Sequence, residues 1–137
     1  MKAYQFKYTV DEARRLIVFR VAGDIPSARL NEEYIDAYRN VPEHWRYNRL
    51  VDYRRYTGFL EFTDLEDFAE KIDDLSHDHS RMYKVAIVTS DALEQARIST
   101  FRHLFPEDLR AFASMDDALD WLGSRQISAQ TNAHAAG

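Results

Sequence analysis

The sequence predicts an α/β domain with a mixed sheet of four to five strands and about four flanking helices. An alternating segment and a continuous apolar run come first, on either side of a polar turn, which indicates an antiparallel hairpin. Amphipathic stretches and short apolar runs then alternate, as in parallel β-α units. With 137 residues, 45% of them hydrophobic, the chain is long enough for one domain with a buried core.

The predicted elements alternate in type after the hairpin. In order they are strands at 4–10 and 16–21, a helix at about 28–40, a strand from 49, a helix begun by a capping box at 63–66, a strand at 83–88, a helix at about 92–105, a strand at 109–112 and a helix ending at 123. Ser27, Asp91 and Ser114 are suited to cap the other helices. The parallel strands should place the loops that follow them on one rim of the sheet.

Composition argues against several classes of protein and site. The chain has no cysteine, which excludes disulfides, thiolate catalysis and cysteine-based zinc sites. The N-terminus lacks the apolar region of a signal peptide, and no apolar run approaches the ~20 residues of a membrane span. We therefore expect a cytoplasmic protein without a transmembrane segment. The net charge of −5 argues against a general nucleic-acid binder.

The third predicted helix has an arginine on its apolar face. Arg97 lies within the arc formed by Leu93, Phe101 and Leu104. A guanidinium in such a place either extends to water or pairs with an anion. Asp52, near the end of what we expect to be a neighbouring strand, is the predicted partner. The alternative is that Arg97 extends to solvent and Asp52 caps its own loop.

The residues that follow Asp52 form the candidate binding site, together with Asp52 and Arg97. Arg54, Arg55 and Tyr56 are expected in an exposed loop that runs to Gly58. Arginine supplies a fork of donors and tyrosine a stacking face, so the loop could contact an anion or a protein partner. The alternative is a solvated loop without a function.

The sequence predicts no metal site, no cofactor and no enzymatic activity. His77-Asp78-His79 resembles a ligand pair, yet residues two apart converge on one ion only in extended backbone, and no third strong ligand is near. No Ser–His–Asp arrangement, glycine-rich phosphate loop or convincing carboxylate pair is present. The acidic face of the second helix is expected to be solvated.

Several hydrophobic segments together resemble the SpoIIAA-like, STAS-related bacterial family. The segments are Arg49-Leu50-Val51-Asp52-Tyr53-Arg54 with a later Gly, Val85-Ala86-Ile87-Val88, Ala96-Arg97 and Ala118-Leu119-Asp120-Trp121-Leu122. The resemblance covers about residues 4–123. It implies one small STAS-like domain over 1–123. Residues 124–137 are small and polar without periodicity, so they are expected to form a disordered tail. It also implies a relation to anti-sigma-factor antagonists and to lipid-transfer domains of the CRAL-TRIO type.

The family's phosphorylation site has no direct counterpart in this chain. The resemblance implies a switch serine at the start of the helix after the central strand, where this chain has Phe62-Thr63-Asp64-Leu65. Thr63 is the nearest hydroxyl and therefore the candidate phosphorylation site. A phosphate would suit a helix N-terminus, although Asp64 beside it would oppose the charge.

Two functions are favoured by the sequence, and an enzyme, for which Arg97 and Asp52 would be the starting points, ranks third. The first is a non-enzymatic cytoplasmic interaction or regulatory module that contacts an unknown protein partner through the rim, with a homodimer as one arrangement. The second is a small-ligand or lipid-binding domain related to CRAL-TRIO-type folds. Its small apolar ligand would occupy a pocket lined by Tyr34, Tyr38, Tyr53, Tyr56, Phe59 and Phe62.

Overall fold

The computed structural model describes residues 4–76, 83–105 and 107–123. The strands are β1 (Tyr4–Asp11), β2 (Leu16–Gly23), β3 (Asn48–Tyr56), β4 (Lys84–Val88) and β5 (Asp108–Phe112). The helices are α1 (Ser27–Arg39), α2 (Phe62–Ser76), α3 (Ala92–Phe101) and α4 (115–123), with 3₁₀ turns at His44–Arg46 and Arg102–Leu104. The predicted tail 124–137 and the histidine pair at 77 and 79 lie outside these residues.

The five strands form one mixed sheet in the order β1-β2-β3-β4-β5. The β1–β2 hairpin is antiparallel, and every later pairing is parallel. The fold-class prediction is therefore confirmed. β1 has one half-buried face that packs on the core, made by Tyr4, Phe6, Tyr8 and Val10, as its alternating sequence predicted.

β3 is the central strand, and helices cover both of its faces. Arg49, Val51 and Tyr53 are buried on one side, where the larger core is formed with α1, α2 and α3. Leu50 is buried on the other side, against Ala118 and Leu122 of α4. Because successive side chains of a strand point to opposite faces, Asp52 shares the α4 side with Leu50.

Ser27 joins two helices instead of capping one. It is the first residue of α1, and Pro26 occupies the cap position without a side-chain hydrogen bond. The Ser27 hydroxyl accepts from the backbone N–H of Glu61 at 3.1 Å and donates to the carboxylate of Asp64. The side chain of Asn31 also donates to the Asp64 carbonyl at 2.8 Å. These bonds hold the N-terminal ends of α1 and α2 together.

The last turn of α4 is attached to the N-terminal ends of β3 and β4. Asn48 donates from its side-chain amide to the carbonyl of Leu122 at 3.3 Å and accepts from the N–H of Lys84 at 2.8 Å. The Lys84 ammonium donates to the carbonyl of Trp121 at 2.8 Å and lies 5.0 Å from the centre of its ring. Helix carbonyls that have no partner within the helix are satisfied in this way.

We expect Asn48→Ala to lower the free energy of unfolding by about 1–3 kcal/mol, because it leaves buried backbone groups of Lys84 and Leu122 without a partner. Chemical denaturation measures the change. Asn40→Ala is the matched control, since the exposed Asn40 amide also donates to a backbone carbonyl, that of Asp36. The control should change stability by no more than about 0.5 kcal/mol. Equal losses in both variants would contradict the role assigned to Asn48.

Candidate functional site

The rim at the carboxyl ends of β3 and β4 differs from the predicted loop. β3 continues through Arg54, Arg55 and Tyr56, so the prediction of a loop from Arg54 to Gly58 is wrong for its first three residues. Arg55 pairs with Ala22 and Tyr56 with Gly23, after an irregularity in β2 between Arg20 and Ala22. The longer β2 provides the backbone partner that keeps these residues in the sheet.

Asp52 is paired with Arg54, two residues later on the same strand. Arg54 donates from Nε and Nη2 to the two carboxylate oxygens of Asp52, each at 2.9 Å, and from its backbone N–H at 3.0 Å. The hydrogen bonds from the Arg54 side chain are the main cause that lowers the pKa of Asp52, against the effect of partial burial; Arg20 lowers it further. The Arg54 side chain itself is 48% exposed.

The predicted pairing of Asp52 with Arg97 is wrong. Arg97 donates to the carbonyl of Leu60 at 2.6 Å and contacts Glu94 at 3.4 Å. The physical reason is the alternation of side chains along β3, since Asp52 faces α4 while α3 packs on the opposite side of the sheet. The structure therefore brings together Asp52 with Arg54, but not Asp52 with Arg97.

Arg97 also covers an aromatic ring at the rim. Its guanidinium carbon lies 4.1 Å from the centre of the Phe59 ring, within the range of a cation–π contact. Leu93, one turn earlier on α3, is 73% exposed, so its predicted place in the core is wrong. The buried side of α3 is made by Ile98 and Phe101 instead.

Three large apolar side chains are exposed among the described residues, and all three lie at this rim. Phe59 and Phe62 are 55% and 45% exposed and belong to the β3–α2 connection and the start of α2. Leu93 is in the first turn of α3, which follows β4. We call Phe59, Phe62 and Leu93 the rim patch. The sequence analysis assigned Phe59 and Phe62 to a pocket and Leu93 to the core. Their exposure could not be predicted, because it depends on which distant segments pack against each side chain.

A cleft of about 280 Å³ lies beside the rim patch, between the end of β3 and the start of α3. Tyr56 lines it and donates from its hydroxyl to the carbonyl of Ile25 at 3.1 Å. Gly58 also lines it, and a Cβ at this position would lie 2.6 Å from the same carbonyl oxygen. Asp91 forms the far wall and caps α3 by accepting from Leu93 and Glu94, as its position in the sequence predicted.

A second, interior cavity of about 70 Å³ lies between the sheet and helices α1, α2 and α3. Its walls are mostly apolar and include Tyr34, Tyr38 and Tyr53, three of the six aromatic residues that the sequence analysis assigned to a pocket. The hydroxyls of Tyr34 and Tyr53 are 2.7 Å apart and fully buried. Burial is the main cause that raises the pKa of both phenols.

A buried ion pair also lines the interior cavity. Arg49 donates from Nη1 to Oε2 of Glu107, and each side chain is only 2% exposed. The Arg49 guanidinium lies 5.2 Å from the centre of the Tyr38 ring. Nε and Nη2 of Arg49 and Oε1 of Glu107 have no hydrogen-bond partner. No local sequence pattern indicates this pair, because Arg49 is on β3 and Glu107 directly precedes β5, 58 positions later.

A model of the SpoIIAA-like family matches residues 16–123, well over half of the chain. The chain belongs to the SpoIIAA-like family. The family resemblance predicted from the sequence is thus confirmed. No curated protein matches the chain.

A solved structure supports the fold of this SpoIIAA-like chain. It is that of an uncharacterized protein of the DUF3478 family with a SpoIIAA-like fold, from Shewanella loihica PV-4. The two proteins share 17% sequence identity and superpose with a TM-score of 0.55 over 89% of this chain and 95% of the other. At this level of identity the likeness concerns the fold alone.

Thr63 occupies an exposed position in the first turn of α2 of this SpoIIAA-like domain. The helix begins at Phe62, and the N–H of Leu65 bonds to the carbonyl of Glu61. Thr63 is therefore the second residue of the helix, two positions further in than the cap position that the capping box predicted. Its side chain is accessible and stands next to the rim patch. Phosphorylation of Thr63 stays a prediction.

Among the described residues, no three His, Asp or Glu side chains are grouped so that they could hold a metal ion. None of the described helices has the length and apolar character needed to cross a membrane.

We expect the Asp52–Arg54 pair to stabilise the folded state above the unfolded-state pKa of Asp52, near 3.8, and to lose this effect as the pH falls through the lower folded-state pKa. Asp52→Asn should therefore remove part of the acid dependence of the free energy of unfolding. The loss at pH 7 should be no more than about 1 kcal/mol, because Arg54 is half exposed.

Denaturation curves of the wild type and of Asp52→Asn measure this effect. They are recorded between about pH 2 and pH 7, because carboxylates titrate in the acid part of this range. The matched control is Asp108→Asn, which breaks a pair with Arg110 at the same spacing on β5, where both partners are about half exposed. A larger stability loss in the control than in Asp52→Asn would contradict the prediction.

The buried tyrosines should make the fold sensitive to alkali. Burial raises the pKa of Tyr38 and of Tyr56 to about 12. Between the ordinary tyrosine pKa of about 10 and this value, the folded state keeps protons that the unfolded state loses, so stability falls as the pH rises. Phenolate absorbance and unfolding curves at increasing pH measure both effects. Ionisation of all eight tyrosines together near pH 10 in the folded protein would be inconsistent with this burial.

Proposed function

We propose that this SpoIIAA-like domain is a non-enzymatic cytoplasmic interaction module that binds a protein partner at the carboxyl-end rim of its sheet. The observation that carries the proposal is the rim patch, because all three exposed large apolar side chains of the described residues follow the carboxyl ends of the adjacent strands β3 and β4. Clustered exposed apolar groups bordered by polar residues are typical of protein contact sites. Arg54 and Arg55, both exposed at the end of β3, provide the polar border.

Contacts around Phe59 support the proposal, because they hold an exposed ring in a defined position. Arg97 covers one face of the ring and is itself fixed by its bond to the carbonyl of Leu60. A side chain that is ordered before binding loses less conformational entropy when the partner arrives. In this proposal Arg97 positions the patch, while Asp52 orients the Arg54 fork through its two side-chain hydrogen bonds.

Thr63 gives the proposed module a means of regulation. Its position next to Phe62 means that a phosphate would add a charge of about −1.5 to −2 at the edge of the rim patch. Water bound to that charge would oppose burial of the apolar side chains, so phosphorylation would weaken docking. This switch is part of the proposal and rests on the location of Thr63 in the exposed first turn of α2.

Small-ligand binding is a second candidate function, favoured by the interior cavity. Its walls are apolar and it contains a few polar groups, as is typical of ligand sites. Its volume of about 70 Å³ suits a molecule of a few heavy atoms better than a long acyl chain. The cavity therefore favours a small molecule over the lipid ligand of CRAL-TRIO-type domains.

The docking proposal can be tested with the double variant Phe59→Ser and Leu93→Ser. The wild type, this variant and a control are each cross-linked in lysate of the source cells, and the captured proteins are identified by mass spectrometry. We expect at least one protein to be captured by the wild type and the control but lost in the variant. Its purified form should then bind the variant at least about tenfold more weakly, as expected for loss of an apolar anchor.

The control is the double variant Glu66→Ser and Lys71→Ser, which changes two exposed side chains of α2 without changing the net charge. Arg54→Ala with Arg55→Ala should weaken the same complex less, by slowing association. Light scattering would identify the partner as a second copy if a dimer dissociates in the rim variant only. Identical captures by all variants, with native circular dichroism, would reject the rim as the docking surface.

A further inference from the structure

The interior cavity has aromatic walls and one pair of charged side chains in its lining. Six rings contribute to its lining, those of Tyr34, Tyr38, Tyr53, Phe68, Phe101 and Phe105. The charged pair is the ion pair of Arg49 and Glu107, the charged side chains among the described residues that line this cavity. The volume of about 70 Å³ exceeds the roughly 10–15 Å³ that one water molecule requires.

The ion pair leaves two donor nitrogens of Arg49 and one acceptor oxygen of Glu107 without a partner. Arg49 uses Nη1 on Glu107, while its Nε and Nη2 have no partner. Glu107 uses Oε2, while its Oε1 has no partner. Buried polar groups in folded proteins are almost always hydrogen-bonded, so three vacant groups on two cavity-lining side chains indicate a missing polar partner.

We propose that the interior cavity binds a small neutral molecule with an apolar body and one hydroxyl group, which Arg49 and Glu107 hold by hydrogen bonds. This proposal names the ligand of the second candidate function and rests on it. A hydroxyl donates one hydrogen bond and accepts up to two, so it serves both the acceptor of Glu107 and the donors of Arg49. The aromatic walls would enclose the apolar body, which the cavity volume limits to a few heavy atoms.

Charge excludes two other classes of ligand from this cavity. Arg49 and Glu107 already neutralise each other, so a carboxylate or an ammonium group would enter the buried cavity without a counter-charge. A carboxylate would also face the vacant oxygen of Glu107. A pure hydrocarbon would fill the apolar space but leave the three polar groups without partners, and water alone would leave the apolar walls unfilled.

Three probes test the proposal on the 137-residue chain, namely 2-propanol, isobutane and acetate, each with the few heavy atoms that the cavity volume suits. Each is titrated into ¹⁵N-labelled protein at neutral pH while the backbone amide spectrum is recorded. We expect 2-propanol to shift the amides of cavity residues such as Val85 and Leu109 and to bind at least about tenfold more tightly than the other two. Amides at the rim patch should stay unchanged.

The double variant Arg49→Met with Glu107→Leu tests the role of the ion pair. Both charges are removed together, since one left alone would be buried without a partner. The variant should bind 2-propanol and isobutane equally, so the tenfold preference should fall to about one. Asp108→Leu with Arg110→Met is the matched control, because it removes an exposed pair nearby and should keep the preference. If the cavity variant does not fold, the preference of the wild type for the hydroxyl-bearing probe over the hydrocarbon still tests the proposal.

The outcomes separate this inference from the functions proposed above. Equal binding of 2-propanol and isobutane by the wild type would overturn the hydroxyl assignment and leave small-ligand binding in place. Tightest binding of acetate would overturn the assignment of a neutral ligand. Binding of none of the three probes, or shifts confined to the rim, would overturn both the inference and the second candidate function. None of these outcomes would affect docking at the rim patch.

Discussion

Burial of β3 on both faces is the constraint on which the rest of this structure depends. A strand in that position must send alternate side chains into two different layers. Arg49, Val51 and Tyr53 consequently belong to the layer of α1, α2 and α3, and Leu50 belongs to the layer of α4. The same rule assigns Asp52 to the α4 side. Each chemical group of the strand thus has a fixed set of neighbours, whatever its distance from them in sequence.

Two arginine–carboxylate pairs on or beside β3 show how differently such pairs can be used. Asp52 and Arg54 lie near the end of the strand, where hydrogen bonds satisfy both carboxylate oxygens and the arginine remains half in solvent. Arg49 and Glu107 lie at its beginning, fully enclosed, with three polar atoms vacant. Burying an ion pair seldom adds net stability compared with apolar side chains of similar size. The incomplete inner pair is therefore better explained by what the cavity accommodates than by stability.

The order of elements, the hairpin and the parallel arrangement could be predicted from the sequence, because periodicity and turn residues act locally. The failures concern contacts between distant segments. The pairing of Arg97 with Asp52 was predicted because both residues were expected at one rim. The face of the sheet to which the Asp52 side chain points depends on the register of β3, which the sequence does not show. Leu93 fits an apolar arc on a helical wheel, yet its side chain is mostly exposed. No local sequence pattern indicates the Arg49–Glu107 pair, so it can be recognised only in the folded structure.

The attachment of α4 places the last of the described residues at the amino ends of β3 and β4. Asn48 and Lys84, at the beginnings of β3 and β4, hold the carbonyls of Leu122 and Trp121. The exit at Gly123 is therefore at the opposite end of β3 from Phe59, a separation of roughly 30 Å for a strand of this length. A surface, a dye or a fused domain linked after Gly123 would leave the carboxyl-end rim facing away from the linkage. Immobilisation at that end consequently suits binding measurements, whereas a linkage at β3's far end would obstruct them.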